Sequence, residues 1–582
     1  MSASAESQSA SEAQSDMIRQ MRRQLAGFTG GLAPDVYVLA WLDWCLNLST
    51  RPATQLELAK DAAVKAIDNW SFAVRALEGK PLAPAEDDPR YAAEAWQHWP
   101  FNVYAHAHRN LTDWWQTALS AVPGVAPGNV RNVEFVGRNA LEAASPTHYL
   151  ATNPELLKTT YAESGQNLVR GLRHWLLDLD QAFAGAGKAA RRSDHYVVGR
   201  DVAVTPGKVV LRNPLVELIQ YAPDTPSVYA EPILIVPAWI MKYYILDLSP
   251  SNSLVRYLVS QGHTVFMVSW KNPGPDERNL GLDDYLQLGI RDVLDAVAAI
   301  TPKAKLHLVG YCIGGTLLSI AAAAMAAAAD QRIASLSLLA AQTDFSEPGE
   351  LSLFISPSQI EMLEAAMQRT GVLTAEQMGA AFSLLRSRDL LWVPAVNKYL
   401  RGRTEKPNDL MAWNADGTRM PCRMHAEYLR ELYLNNALAR GAFIAQGKPV
   451  DLAAIKAPMF VVGTETDHVA PWRSVYKARA LTRSSDYTFL LTSGGHNAGI
   501  VSGPEHPRRR HRTLTWTDPL SNLTPEVWHE TAALAHGSWW PVWQRWLAAH
   551  SSPQQVSSPP LGNEAAGYPL IGDAPGTYVL ER

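Results

Sequence analysis

Six short apolar runs, at 232–236, 264–270, 306–309, 333–339, 459–462 and 487–491, are separated by stretches whose apolar residues recur with helical spacing. Runs this short and rich in β-branched residues, alternating with helices, predict a mostly parallel sheet covered on both faces. Just before them, 196–204 and 209–221 read as the strands of a hairpin turning at Pro206-Gly207. Residues 345–443 break the alternation with a mostly helical insertion, and 538–546 form a Trp-rich helix ahead of a Pro/Ser/Gly-rich end.

Earlier in the chain the period is helical throughout. Apolar positions favour helices from 16 to about 79, with clear spacing at 36–42 and 56–74, and again over 91–119 and 132–141. Residues 81–89 are a Pro/Ala/acidic linker, and Asn153-Pro154-Glu155 has the form of an N-cap followed by proline at the first helical position. The aromatics of the helices that follow, Tyr161 and Trp175 among them, are expected to fill the core of a helical domain. Residues 184–188, Ala-Gly-Ala-Gly-Lys, read as a joint. The predicted organisation is therefore a disordered tail over 1–15, a helical domain over 16–190 and an α/β domain over 191–582. A cap occupies about 345–445 and a flexible tail about 551–582.

Composition narrows the function. At 582 residues the chain exceeds one ordinary core. A formal charge of −4 supplies no basic patch for nucleic acid. Three cysteines, Cys45, Cys312 and Cys422, odd in number and far apart, fit a reducing compartment and exclude a cysteine-based zinc site. The first fifteen residues lack the apolar stretch of a signal peptide. The uncharged run 306–329 has the length of a membrane span, but glycines interrupt it and its second half is mostly alanine. It reads as a buried strand and helix, so the protein is expected not to span a membrane. Nineteen tryptophans leave an apolar surface target open.

The third apolar run leads into Gly310-Tyr311-Cys312-Ile313-Gly314-Gly315 and an alanine-rich helix. Strand, tight turn and helix with this glycine spacing have the form of the nucleophile elbow G-x-S-x-G, with cysteine in place of serine. The two flanking glycines, Gly310 and Gly314, suit a turn with little room for a Cβ, and the amide of Ile313 falls where an oxyanion would form. A nucleophile needs a base and the base an orienting group, in hydrolases in the chain order nucleophile, acid, histidine. Asp467 follows the fifth run and His496 the sixth, both in loops at the sheet edge where the elbow opens. Asp344 is a rival acid and His468 a rival base, the latter better placed as a neighbour of the site. In a hydrolase sheet the elbow follows the fifth strand, so the two hairpin strands complete the count.

Several longer stretches carry a resemblance. They are the Gly310–Gly315 box, Asn213-Pro214-Leu215-Val216-Glu217-Leu218-Ile219-Gln220-Tyr221, Lys242-Tyr243-Tyr244-Ile245-Leu246-Asp247-Leu248, Val268-Ser269-Trp270-Lys271-Asn272-Pro273, Trp413-Asn414-Ala415-Asp416, Asp467-His468 with Pro471-Trp472, and His536-Gly537-Ser538-Trp539-Trp540. By these stretches together, from roughly residue 147 to the C-terminus, the chain resembles the class I and II polyhydroxyalkanoate synthases. The resemblance implies an α/β-hydrolase fold with a helical cap, preceded by a helical N-terminal domain. It implies an acyltransferase that polymerises (R)-3-hydroxyacyl-CoA into polyester and releases CoA. Cys312 would carry the chain as a thioester, His496 would activate it, and Asp467 would complete the triad or act on the incoming hydroxyl. Cysteine suits this chemistry, because a thioester is close in energy to the CoA thioester and keeps the acyl group activated for the next hydroxyl. The backbone amides of Ile313 and Ala238 would hold the oxyanion, and Arg386 is a candidate contact for CoA phosphate. The family's usual Arg-Pro-Asn-Asp in the cap is here Arg386-Ser387-Arg388-Asp389, and Asn497 follows His496 where isoleucine is commoner. No cofactor is expected, since CoA arrives on the substrate. The expected partners are the substrate, the growing chain, the granule surface and a second copy of the chain, and the expected location is cytoplasm and polyester granules. Two other readings share these residues: a cysteine thioesterase or depolymerase, and a non-catalytic granule-coating protein.

Overall fold

The computed structural model describes residues 33–78, 88–183, 196–404, 406–516 and 523–582, which fall into two compact units. The expected tail over 1–15 and the joint over 184–188 lie outside the described residues. One unit comprises described residues 196–377 and 407–582, the other 33–183 and 378–406. The insertion between the sixth and seventh strands is thus shared: its middle, 378–406, packs with the N-terminal helices rather than with the sheet.

The sheet unit is built on eleven strands. They are β1 (Gly207–Arg212), β2 (Val216–Tyr221), β3 (Ile233–Val236), β4 (Val265–Trp270), β5 (Leu306–Tyr311), β6 (Ile333–Leu339), β7 (Met459–Thr464), β8 (Tyr487–Thr492), β9 (Arg510–Trp516), β10 (Ala533–His536) and β11 (Gly572–Asp573). Their order across the sheet is β10-β9-β8-β7-β6-β5-β3-β4-β2-β1-β11. From β3 to β8 neighbouring strands are parallel, while β2, β9, β10 and β11 join antiparallel. The crossing of β3 and β4 and the central place of β5 make this the α/β-hydrolase fold. All six apolar runs became strands, every residue of β3, β4, β5, β7 and β8 being buried. Burial on both faces is why they read as continuous apolar runs rather than alternating ones.

The hairpin is shifted from its expected register. Residues 196–204 carry only an isolated Val198–Val202 bridge, and the turn lies at Asn213-Pro214-Leu215 between β1 and β2. Asn213 Oδ1 accepts the amides of Leu215 and Val216 at 3.0 and 2.9 Å, an Asx-type turn that Pro206-Gly207 does not make.

The C-terminal residues 551–582 are not a flexible tail. β11 pairs with β1, Val579 is fully buried, and the buried Glu217 carboxylate accepts Thr577 N, Thr577 Oγ1 and Tyr578 N at 2.8–3.0 Å. Lys242 Nζ donates to the carbonyls of Tyr578 and Glu581 at 3.2 and 2.8 Å. Composition signalled a loop, and it is one, but its polar backbone is bound by buried side chains. The Trp-rich segment is likewise core: Trp539, Trp540 and Trp543 are fully buried and donate to Gly499 O, Ile500 O and Ser337 Oγ at 3.1, 2.9 and 2.9 Å. Among the described residues no helix is long and apolar enough to cross a membrane.

The helical unit contains α1 (Pro34–Ser49), α2 (Pro52–Leu77), α3 (Phe101–Ser120), α4 (Pro127–Ala143), α5 (Pro154–Ala162) and α6 (Gln166–Phe183). Asn153 caps α5 as its sequence foretold, Oδ1 accepting Glu155 N and Leu156 N at 2.9 and 3.2 Å. Tyr161 and Trp175, expected in the core, are 89% and 47% exposed. Periodicity finds the helix, but which face is covered depends on neighbours that the pattern does not specify.

Candidate active site

Strand β5 delivers the chain to Cys312, and helix α7 (Ile313–Ala327) begins at the next residue. Cys312 sits at φ 54° and ψ −132°, a conformation that costs a non-glycine residue about 1–3 kcal/mol. Two neighbours make the turn possible. A Cβ on Gly310 would lie 2.3 Å from the Gly315 Cα, and one on Gly314 would lie 2.4 Å from the carbonyl oxygens of both Val236 and Pro237. The first turn of α7 therefore presses directly on the loop after β3 that carries Ala238. Ile313, first in the helix, has an amide without an intrahelical acceptor. Ala238 is buried, and the surrounding carbonyls are tied down: Pro237 O accepts Trp270 Nε1 at 2.9 Å and Trp239 O accepts Thr418 Oγ1 at 2.7 Å.

The loops after β7 and β8 bring Asp467 and His496 together, with His496 Nδ1 2.8 Å from Asp467 Oδ2. Asp467 is fully engaged. Its Oδ2 also accepts Thr464 Oγ1 at 2.8 Å, and its Oδ1 accepts the amides of Val469 and Ala470 at 2.9 and 2.8 Å. Burial opposes its charge, but His496 and these donors outweigh burial and hold the carboxyl below its ordinary range. Burial likewise opposes charge on His496. Asp467 and Cys312, each by charge and by hydrogen bond, outweigh it and raise the imidazole well above the ordinary histidine range. With Nδ1 on Asp467, Nε2 is left for the Cys312 sulfur. The three side chains thus form one connected relay, buried except for the half-buried thiol.

The rivals fall elsewhere. Asp344 accepts Ser346 N, Ser346 Oγ and Asn436 Nδ2 at 2.6–3.0 Å, while the carboxylate facing His496 is that of Asp467. His468 is half-buried in the Asp467 loop, and the imidazole on Asp467 belongs to His496. Arg386 lies in the helical unit with Nη2 2.7 Å from Asp389 Oδ2, so its charge is already paired.

Three comparisons bear on this arrangement. A family model described as the poly-beta-hydroxybutyrate polymerase (PhaC) N-terminus matches residues 87–258, another for the polymerase's N terminal matches 13–53, and the alpha/beta hydrolase fold matches 231–502. Over 518 residues the chain is 38% identical to a poly(3-hydroxyalkanoate) polymerase of Methylorubrum extorquens, covering 88% of this chain and 84% of that one. It is 36% identical over 514 residues to the poly(3-hydroxyalkanoate) polymerase subunit PhaC of Cupriavidus necator, covering 87% and 85%. The chain belongs to the poly(3-hydroxyalkanoate) polymerase family. Among solved structures, a monoglyceride lipase of Saccharomyces cerevisiae aligns with 62% of this chain and 100% of its own at 13% identity and a TM-score of 0.34.

Some residues near this candidate site had no motif to announce them. Tyr428 and Tyr433 lie on a π-helical turn, Tyr428–Leu434, and the Tyr428 hydroxyl donates to that of Tyr433 at 3.0 Å. Burial above all drives both phenols far above their ordinary range, and the electrostatic influence of Cys312 adds to the rise, so both stay protonated. The extra residue of a π turn shifts side chains off the 3.6-residue period, which hides such a pair from pattern reading. Tyr311, inside the elbow motif, donates to Asn497 Oδ1 at 2.6 Å and tilts against the His496 ring at 5.6 Å. Asn497 thereby anchors the loop of His496 to β5.

Proposed function

We propose that the protein transfers (R)-3-hydroxyacyl groups from CoA to a growing polyester held as a thioester on Cys312, with release of CoA. One observation carries this reading: the elbow of a poly(3-hydroxyalkanoate) polymerase relative holds a sulfur nucleophile linked to an assembled His496–Asp467 pair. The Cys312 thiolate attacks the substrate thioester carbonyl. The new C–S bond forms, the bond to the CoA sulfur breaks, and the proton held on His496 goes to CoA. The hydroxyl of the next hydroxyacyl-CoA then attacks the Cys312 thioester and gives its proton to His496. An ester C–O bond replaces the C–S bond, and the lengthened chain, now a CoA thioester, returns to Cys312 by the first step. The amides of Ile313 and Ala238 stabilise the oxyanion in both steps.

Asp467 holds and charges His496 rather than accepting the substrate proton. Four donors occupy its two oxygens, and its lowered pKa makes it a poor base. The reaction needs no bound cofactor, because CoA is both activating group and leaving group. We place the enzyme in the cytoplasm and on the surface of its own polymer granules, as a homodimer. The exposed apolar side chains Leu46, Ile67, Trp70 and Leu77 of the helical unit support contact with an apolar surface.

Purified protein given 3-hydroxybutyryl-CoA should release CoA in step with insoluble polymer. Turnover that yields only free hydroxy acid would instead identify a thioesterase, and polymer formation by a Cys312→Ala variant would remove the nucleophile from the account.

A further inference from the structure

The loop that carries His496 is held from behind by one cation. Arg509, half-buried just before β9, directs Nη1 to the carbonyl of Ser493 at 3.2 Å and Nη2 to the carbonyl of Ala498. These carbonyls lie three residues before and two after His496, so one guanidinium joins both stems of the loop. Among the described residues no carboxylate pairs with Arg509, and its Nε has no hydrogen-bond partner. Burial lowers its pKa below the ordinary arginine value, which marks a charge kept in an unfavourable place. The loop is shaped around it: Gly494 adopts φ 106°, and a Cβ there would lie 2.7 Å from Arg509 Nη1. The far side of the loop is fastened independently, by Tyr311 to Asn497 and by Trp539 Nε1 to Gly499 O.

We infer that Arg509 is a positioning residue for the catalytic base, acting through the loop carbonyls of Ser493 and Ala498 to hold His496 between Asp467 and Cys312. The inference rests on His496 being that base. A planar guanidinium suits the task because its fork reaches two fixed acceptors at once, which a flexible ammonium does not. The groups that bear on His496 are Asp467 and Cys312, with the neutral Tyr311 phenol against its ring. Those that bear on Arg509 add no negative charge, so its effect is one of geometry.

The test is the pH dependence of Cys312 alkylation by iodoacetamide, read beside CoA release from 3-hydroxybutyryl-CoA and a thermal melt. In Arg509→Met the imidazole drifts from the sulfur. CoA release should fall by about ten- to a hundredfold, and alkylation should need higher pH. Arg509→Gln keeps one donor without the charge; it should fall between, and it carries the test if Arg509→Met does not fold. A folded variant of either kind whose alkylation profile superimposes on that of the parent overturns the inference. His496→Ala separates the two layers: if its alkylation profile matches the parent's, the base itself is misassigned, whereas a shifted profile there with unshifted Arg509 variants rejects Arg509 alone.

Discussion

The two units differ in how much tryptophan they expose: the helical unit buries Trp44 and Trp96 but leaves others open. In the sheet unit Trp239, Trp528, Trp539, Trp540 and Trp543 are fully buried, whereas in the helical unit Trp70 is 74% exposed, Trp99 57% and Trp175 47%. The contrast extends to aliphatics: Leu308 and Val309 of β5 are fully buried, while Leu46, Ile67 and Leu77 are 65–69% exposed. A sheet sandwiched between helix layers encloses side chains on both faces, and it can hold Cys312 in its strained conformation because the surroundings are packed. A helix buries one stripe only. Where a second stripe is apolar, it remains available to another surface. The chemistry and the candidate contact surface thus occupy regions with different packing.

That comparison can be broken at several strengths. Cys312→Ala removes the sulfur from the packed region and should abolish CoA release by at least ~10⁴-fold while leaving the melting temperature nearly unchanged. Asp467→Asn should lower turnover about 10²- to 10⁴-fold, since the amide cannot stabilise the imidazolium. Its effect on stability follows the sign of the shift. The Asp467 carboxyl is lowered from 3.8, so its contribution is complete above that pH and lost as pH falls through the depressed value. Denaturation curves of parent and Asp467→Asn should therefore converge below pH 3.8. Leu308→Ala, in the fully buried centre of β5, should cost about 2–5 kcal/mol in a denaturant titration. Thr418→Val, which deletes the 2.7 Å bond to Trp239 O beneath the Ala238 loop, should cost about 1 kcal/mol and lower turnover more than stability. Trp70→Ser should change stability by no more than about 0.5 kcal/mol yet reduce sedimentation with polymer granules. A large stability loss at Trp70 would mean that the exposed stripe is covered within the protein after all.

Legibility followed range along the chain. The elbow was readable because strand, turn glycines and helix are contiguous, and because Gly310 and Gly314 answer to contacts within a few residues or at the adjacent strand end. Asp467 and His496 were readable from order and from their place after strands. The Asn153 cap was equally local. The hairpin register was not, since Pro206-Gly207 and Asn213-Pro214 both have turn-forming residues, and only the bonds of the Asn213 side chain to Leu215 N and Val216 N show which one turns. The Arg509 clamp left no trace either: an Arg-rich run reads as a solvated charge patch until one member is seen to turn inward.

By itself, then, the order of residues determined the alternation of strands and helices, the bend that presents Cys312 and the places of Asp467 and His496 after later strands, because each depends on backbone preferences and spacing within short windows. Tertiary structure alone decided that Asp467 rather than Asp344 meets His496, that Trp539, Trp540 and Trp543 are core while Trp70 and Trp175 are surface, and that residues 551–582 bind back onto β1 and Lys242. These outcomes turn on which distant groups exclude water from one another, and burial is a property of the packed whole rather than of any segment.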